Sequence, residues 1–125
     1  MKSSSWIVVG AVSGAVTVAL GAFGAHALKT RVTPEDLAIW ETAVHYQGLH
    51  ALALVLFGLW REQTGKRCIG GWGFLAGSAI FSGTLYAMVL GGPRWLGAIT
   101  PIGGTALIVG WLGFAVSAWR ARSRD

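Results

Sequence analysis

Four long apolar segments follow one another along the chain, separated by short polar stretches. The first covers 6–27 and carries no charged side chain. The second is apolar over 48–60, the third over 68–90, and the fourth over 95–119 with Thr100-Pro101 inside it. About 20 apolar residues carry a helix across the roughly 30 Å hydrocarbon core of a bilayer. The pattern therefore predicts an all-α integral membrane protein. A single domain, 1–125, is expected to fold as a four-helix transmembrane bundle with helices at about 6–27, 34–60, 68–90 and 101–119.

Local signals set two of these boundaries. In Thr33-Pro34-Glu35-Asp36, the threonine can cap free backbone N–H groups, proline suits the first helical position, and the acids favour the positive end of the helix dipole. The second helix should thus begin about two turns before its apolar part. Thr100-Pro101 predicts a second capped start, which leaves 91–99 as a re-entrant or interfacial loop. Lys2 and Ala25-His26-Ala27 resemble the ends of a cleaved signal peptide. Its apolar part normally runs 7–15 residues, so the longer first segment is expected to stay as a membrane span.

Composition agrees with this picture: 54% of residues are hydrophobic and 12% charged, against about 25% charged in soluble domains. Mean hydropathy is +0.58. The net charge of +5 invites a nucleic-acid partner, but its placement excludes that class. Lys2, Arg61, Lys66, Arg67, Arg120, Arg122 and Arg124 flank one set of segment ends, and Lys29, Arg31 and Arg94 the other. The basic excess marks the cytoplasmic side, which predicts a cell inner-membrane, multi-pass protein with both termini cytoplasmic. Trp6, Trp40, Trp60, Trp72, Trp95 and Trp119 lie near segment ends, as interfacial belts do. Trp111 lies mid-span, packed or lipid-facing. The one cysteine, Cys68, allows no intrachain disulfide.

Lipid offers little hydrophobic drive between helices, so close packing falls to small residues. Gly10, Gly14, Gly21 and Gly24 on the first segment and Gly73 and Gly77 on the third are the expected packing positions. They serve either a compact bundle or, with surface to spare, a homo-oligomer or larger membrane complex.

Polar side chains gather toward one set of helix ends. His26, Glu41, His45, Gln47 and His50 lie on the first two segments, Ser82 and Tyr86 on the third, and Thr100 and Gly103 at the start of the fourth. Ionisable groups inside a membrane are costly and mark functional sites by default, so these nine form the candidate ligand-binding set. Glu41 and His45 are four apart, the spacing for an ion pair or hydrogen bond. His50 reads either as a hydrogen-bonded bundle residue or as a ligand- or proton-handling one. The Thr100 helix start reads either as a packed, capped end, with its glycines against the first helix, or as an anion-binding one. No metal-ligand spacing, nucleophile elbow, phosphate loop or CxxC occurs, so no catalytic residue, metal or cofactor is assigned.

Gly21-Ala-Phe-Gly-Ala-His26, Tyr46-Gln47 with His50, Phe81-Ser-Gly-Thr-Leu-Tyr86 and Thr100-Pro-Ile-Gly-Gly104 occur in this order. On these motifs the chain resembles the small bacterial inner-membrane proteins of the domain of unknown function 423 family, which includes relatives of transmembrane protein 256. The resemblance implies a four-helix membrane protein without an assigned activity.

Two functions from different classes are therefore expected: a non-enzymatic protein that works by packing, as an oligomer or accessory subunit, or a small-molecule, ion or lipid site in the outer leaflet serving transport or sensing. A metal-binding membrane enzyme is a third alternative. The lipid bilayer is the one partner common to all.

Overall fold

The computed structural model describes residues 1–122, so Arg124 of the basic tail lies outside the described residues. Four long helices form. They are α1 (Ser3–Phe23), α2 (Pro34–Thr64), α3 (Gly70–Val89) and α4 (Thr100–Arg122). A π turn, Gly24–Leu28, extends α1, and a 3-10 turn, Arg94–Ala98, leads into α4. All four spans are long and apolar enough to cross a membrane, and this is an integral membrane bundle. At 1.5 Å per residue, α2 with its 31 residues outruns the hydrocarbon core.

Caps explain the limits of α2. The Thr33 hydroxyl accepts from the Asp36 N–H at 3.1 Å, with Pro34 in the first turn. At the other end Gly65 turns left-handed at φ 65° and its N–H closes on the Arg61 carbonyl at 2.8 Å. Thr100 departs from its expected role. Its hydroxyl bonds back to the Leu96 carbonyl at 3.2 Å rather than capping α4, because the 3-10 turn already runs into the helix.

Helices adjacent in sequence pack as antiparallel pairs, α1 on α2, α2 on α3 and α3 on α4. Both described chain ends lie at one end of the bundle, called here the terminal end, and Arg94 lies at the other. A Cβ on Gly10 would sit 2.8 Å from the Ala51 carbonyl oxygen, and one on Gly24 would sit 2.6 Å from the Trp40 ring. On the α3/α4 seam a Cβ on Gly73 would come within 2.6 Å of Gly110 Cα, and one on Gly77 within 2.8 Å of Leu107. Gly21 makes ordinary contact with Val44 at 3.4 Å. Gly14 is the exception among the expected packing glycines: nothing lies within 4 Å of its Cβ position. It faces Gly48 and Ala51 across a shallow apolar depression, and small residues on both helices leave a gap rather than a seam.

The largest of three core clusters among the described residues lies toward the terminal half, and two smaller ones, around Trp40 and around Leu85, lie toward the Arg94 end. Trp6, Leu54, Phe57 and Phe74 are buried in the largest, with Trp6 edge-on to Phe57 at 5.3 Å and to Trp72 at 5.0 Å. The Trp6 indole N–H has no partner among the described residues. Trp6 and Trp40, expected in interfacial belts, are instead 1% and 2% exposed. Each is at a helix end in sequence, yet glycine on the neighbouring helix (Gly71 and Gly24) makes room for its ring inside the bundle. Trp72, Trp95 and Trp119 do remain on the outside.

Candidate functional site

The polar residues do not converge into one cluster; the bundle separates them into four places. On α2, His50 and Gln47 point to different neighbours. His50, 2% exposed, lies between α3 and α4 against Phe74 and Trp111. Its Nδ1 is 2.7 Å from the Tyr46 carbonyl oxygen, and the Trp111 indole N–H donates to its Nε2 at 3.0 Å. An indole N–H can only donate, so Nε2 is the acceptor and the proton sits on Nδ1. The imidazole is thereby neutral, and both nitrogens are occupied by protein partners.

Thr84 and Thr100 form the second place. Their hydroxyls meet at 2.6 Å, joining α3 to the start of α4. Gly103 lets that start press on α3: a Cβ there would collide with the Phe81 amide nitrogen and lie 2.9 Å from the Gly77 carbonyl oxygen. The glycines at this helix start thus pack on α3, not on α1 as expected. The α3 backbone fills the approach that an anion would need.

The third place is the rim. His26 is exposed on the π turn. Glu41 and His45 are exposed and line a shallow depression of about 260 Å³ with Trp40, Val44 and Ala25. The pair expected between Glu41 and His45 is not formed. The His45 ring turns edge-on to Tyr46 at 5.9 Å, and the single ion pair among the described residues joins Arg94 to Asp36 at 2.9 Å. Among the described residues no three His, Cys, Asp or Glu side chains come together.

The fourth place is a groove of about 330 Å³ between α1 and α3, floored by α2. Tyr86 donates to Gln47 Oε1 at 2.6 Å, and Gln47 Nε2 reaches the Ser13 carbonyl and hydroxyl at 3.4 Å. One amide thereby ties α1 to α3 across the floor. Ser82 donates to the Ala43 carbonyl at 2.8 Å and fixes α3 on α2. Ser78 also lines the groove. The remaining walls are apolar, with Val16 and Leu20 on α1, Leu54 on α2, and Leu75 and Ala79 on α3.

An aromatic pair stands toward each end of this groove, and Tyr86 of one pair belongs to its lining. Toward the terminal end Trp6 meets Trp72. Toward the Arg94 end Trp40 lies 4.6 Å from Tyr86 and donates its indole N–H to the Leu20 carbonyl at 2.9 Å, which bridges α3 to α1. The mouth lies between them, along Val16 of α1 and Ala79 and Gly83 of α3, all on the outside of the bundle.

Of the nine candidates, Gln47, Ser82 and Tyr86 share this groove. Ser13 and Ser78 were not among the candidates. Ser78, Ser82 and Tyr86 stand four residues apart on one face of α3, a spacing visible in the sequence. Trp111, left open as packed or lipid-facing, is the partner of His50.

A family described as "Protein of unknown function (DUF423)" matches residues 20–104. The chain belongs to this family. It is 39% identical to the UPF0382 membrane protein SAB0533 of Staphylococcus aureus (strain bovine RF122 / ET3-1), over 92% of this chain and 95% of the relative. It is 38% identical to the UPF0382 membrane protein YwdK of Bacillus subtilis (strain 168), over 90% and 94%. A Staphylococcus epidermidis UPF0382 membrane protein is 43% identical over 86% and 88%. No solved structure matches the chain. The match covers the far part of α1, all of α2 and α3, and the start of α4. It therefore includes Gln47, Ser78, Ser82 and Tyr86 of the groove but not Ser13.

Proposed function

We propose that this is a non-enzymatic membrane protein that holds a lipid-soluble molecule in the groove between α1 and α3. The carrying observation is the shape of that groove: an aromatic pair stands toward each end, Tyr86 of one pair being part of the lining, and its mouth opens on the side of the bundle. In a bilayer a side opening meets lipid, so the guest enters from the membrane rather than from water. The volume of about 330 Å³ falls at the lower end of small-molecule pockets. A binding role rather than a chemical one is supported by the state of the polar groups. The neutral His50 is occupied on both nitrogens, and Gln47 and Ser82 are occupied by backbone and side-chain partners.

The reading as an oligomer or accessory subunit rested on spare small-residue surface. Gly10, Gly24, Gly73, Gly77 and Gly103 are taken up inside the bundle, so these glycines do not argue for a second protein. The charge asymmetry supports a cell inner-membrane location with both termini cytoplasmic. The groove mouth then lies within the bilayer, with Tyr86 and Gln47 on the outer side of it.

Native mass spectrometry of protein extracted gently with its lipids tests this. The wild-type protein retains a non-covalent adduct, and Ala79→Trp, which blocks the mouth, loses it. A bare monomer from both proteins refutes groove binding, and a bare homo-oligomer restores the association reading.

A further inference from the structure

The groove floor carries hydrogen-bonding capacity that the fold leaves unused. Hydroxyls within membrane helices usually donate to the carbonyl one turn back. Thr17, Thr42 and Thr105 do so here, at 2.8–3.0 Å. Ser78 does not. It is 9% exposed, lines the groove, and its hydroxyl has no partner among the described residues. Ser13 on the opposite wall accepts the long Gln47 contact at 3.4 Å, and its hydroxyl donates to no described residue. Two O–H donors that line the groove, one on buried Ser78 and one on half-buried Ser13, donate to no protein acceptor and are open to an acceptor from outside the protein.

Charge and depth narrow what brings it. The groove is lined by Gln47, Tyr86, serines and apolar residues, with no Lys, Arg, His, Asp or Glu among its described lining, which fits a neutral guest. Ser13 stands at the centre of α1 (Ser3–Phe23), and Ser78 near the middle of α3 (Gly70–Val89). Both hydroxyls therefore lie near the midplane of the span. The ester oxygens of glycerolipids lie at the edge of the hydrocarbon layer, about 15 Å from its centre. An acceptor at the midplane must belong to a molecule that enters the hydrocarbon bodily. Gly83 at the mouth has nothing within 4 Å of its Cβ position, which leaves room for an apolar tail to leave sideways.

Building on the groove-binding reading above, we propose that the groove receives a neutral, lipid-soluble carbonyl compound of the quinone type. Its ring lies between α1 and α3, its carbonyl oxygens accept from the Ser78 and Ser13 hydroxyls, and its tail lies along the mouth. This is binding alone, with no electron or proton transferred.

The test uses the full chain in phosphatidylcholine nanodiscs with three probes: decylbenzoquinone, dodecylbenzene and dioleoylglycerol. Decylbenzoquinone is expected to bind saturably and more tightly than dodecylbenzene, which has the tail and ring but no acceptor. Ser78→Ala and Ser13→Ala each weaken quinone binding about 2- to 12-fold, the worth of one hydrogen bond, with dodecylbenzene unaffected. Ser78→Leu fills the floor and abolishes binding, while Ile108→Ala, on the exposed side of α4, changes nothing. Equal affinity for decylbenzoquinone and dodecylbenzene, or unchanged quinone affinity in Ser78→Ala, overturns the proposal. Saturable binding of dioleoylglycerol in place of the quinone overturns the quinone assignment but leaves the groove as a lipid site. Binding of none of the probes, with no adduct on the extracted protein, removes both.

Discussion

Replacing Trp111 by phenylalanine separates a structural histidine from a functional one. The change keeps an aromatic ring near Phe74, whose centroid lies 4.6 Å from that of Trp111, and removes the N–H that reaches His50 Nε2 at 3.0 Å. His50 is 2% exposed, so the orphaned nitrogen finds no replacement donor. Hydrogen bonds between membrane helices are worth about 0.6 kcal/mol on average and up to about 1.7 kcal/mol in double-mutant cycles. This bond is the side-chain link from His50 to α4, and His50 is fully enclosed, which favours the upper part of that range. A cycle of Trp111→Phe and His50→Phe should therefore give a coupling of about 1–1.7 kcal/mol, a 5- to 20-fold effect on the unfolding equilibrium. Unfolding in bicelles by SDS titration can be followed through the thiol of Cys68, which is half-buried against the aromatic core. A coupling within about 0.3 kcal/mol of zero, the scatter expected of independent sites, refutes the hydrogen-bond assignment. A His50 variant that loses a bound molecule at unchanged stability would return this residue to the binding site.

The remaining predictions follow from packing and charge. Gly103→Ala should destabilise by about 1–3 kcal/mol, because its new methyl meets α3 backbone that cannot give way, whereas Gly14→Ala stays within about 0.5 kcal/mol of wild type. The same SDS titration compares them, and equal losses would mean the α3/α4 seam is not as close as described. Asp36→Asn should cost less than about 1 kcal/mol, since Arg94 is 63% exposed in that pair and exposed ion pairs are weak; a larger loss on titration would give the pair a structural role. In a Cys68→Ser background, Thr30→Cys should label with an impermeant maleimide from outside intact cells, and labelling only after lysis reverses the orientation.

The span pattern was legible because it depends on sums over about 20 residues, which lipid imposes on any helix that crosses it. The Thr33 cap was legible because it is local, closed within four residues. Thr100 looked the same in sequence and behaved differently. Its neighbours 94–98 form a 3-10 turn whose carbonyls offer its hydroxyl a nearer acceptor, and no short motif announces that turn. Gly10 and Gly14 also looked alike, as one small-xxx-small pair. Only the facing helix distinguishes them, since Gly10 meets the α2 backbone at Ala51 and Gly14 meets empty space opposite Gly48.

The candidate site divided for a related reason. Residues three apart on a helix, as Gln47 and His50 are, point about 60° apart, and in a bundle that is enough to face different neighbours. Residues at one depth in the membrane thus divide between an α1/α3 groove and an α3/α4 contact. The sequence did hold a finer signal: Ser78, Ser82 and Tyr86 fall on one face of α3, whereas Gly73 and Gly77 face α4. A polar face and a small-residue face on the same span imply two different neighbours, one packed close and one held apart. Held apart is what Gln47 achieves, since its amide spans the distance from Ser13 to Tyr86 that direct helix contact would otherwise close. Gln47→Ala should thus let α1 and α3 approach and narrow the groove. The polar bridge maintains the opening, and the serine hydroxyls beside it that donate to no protein acceptor are the ones available to a guest.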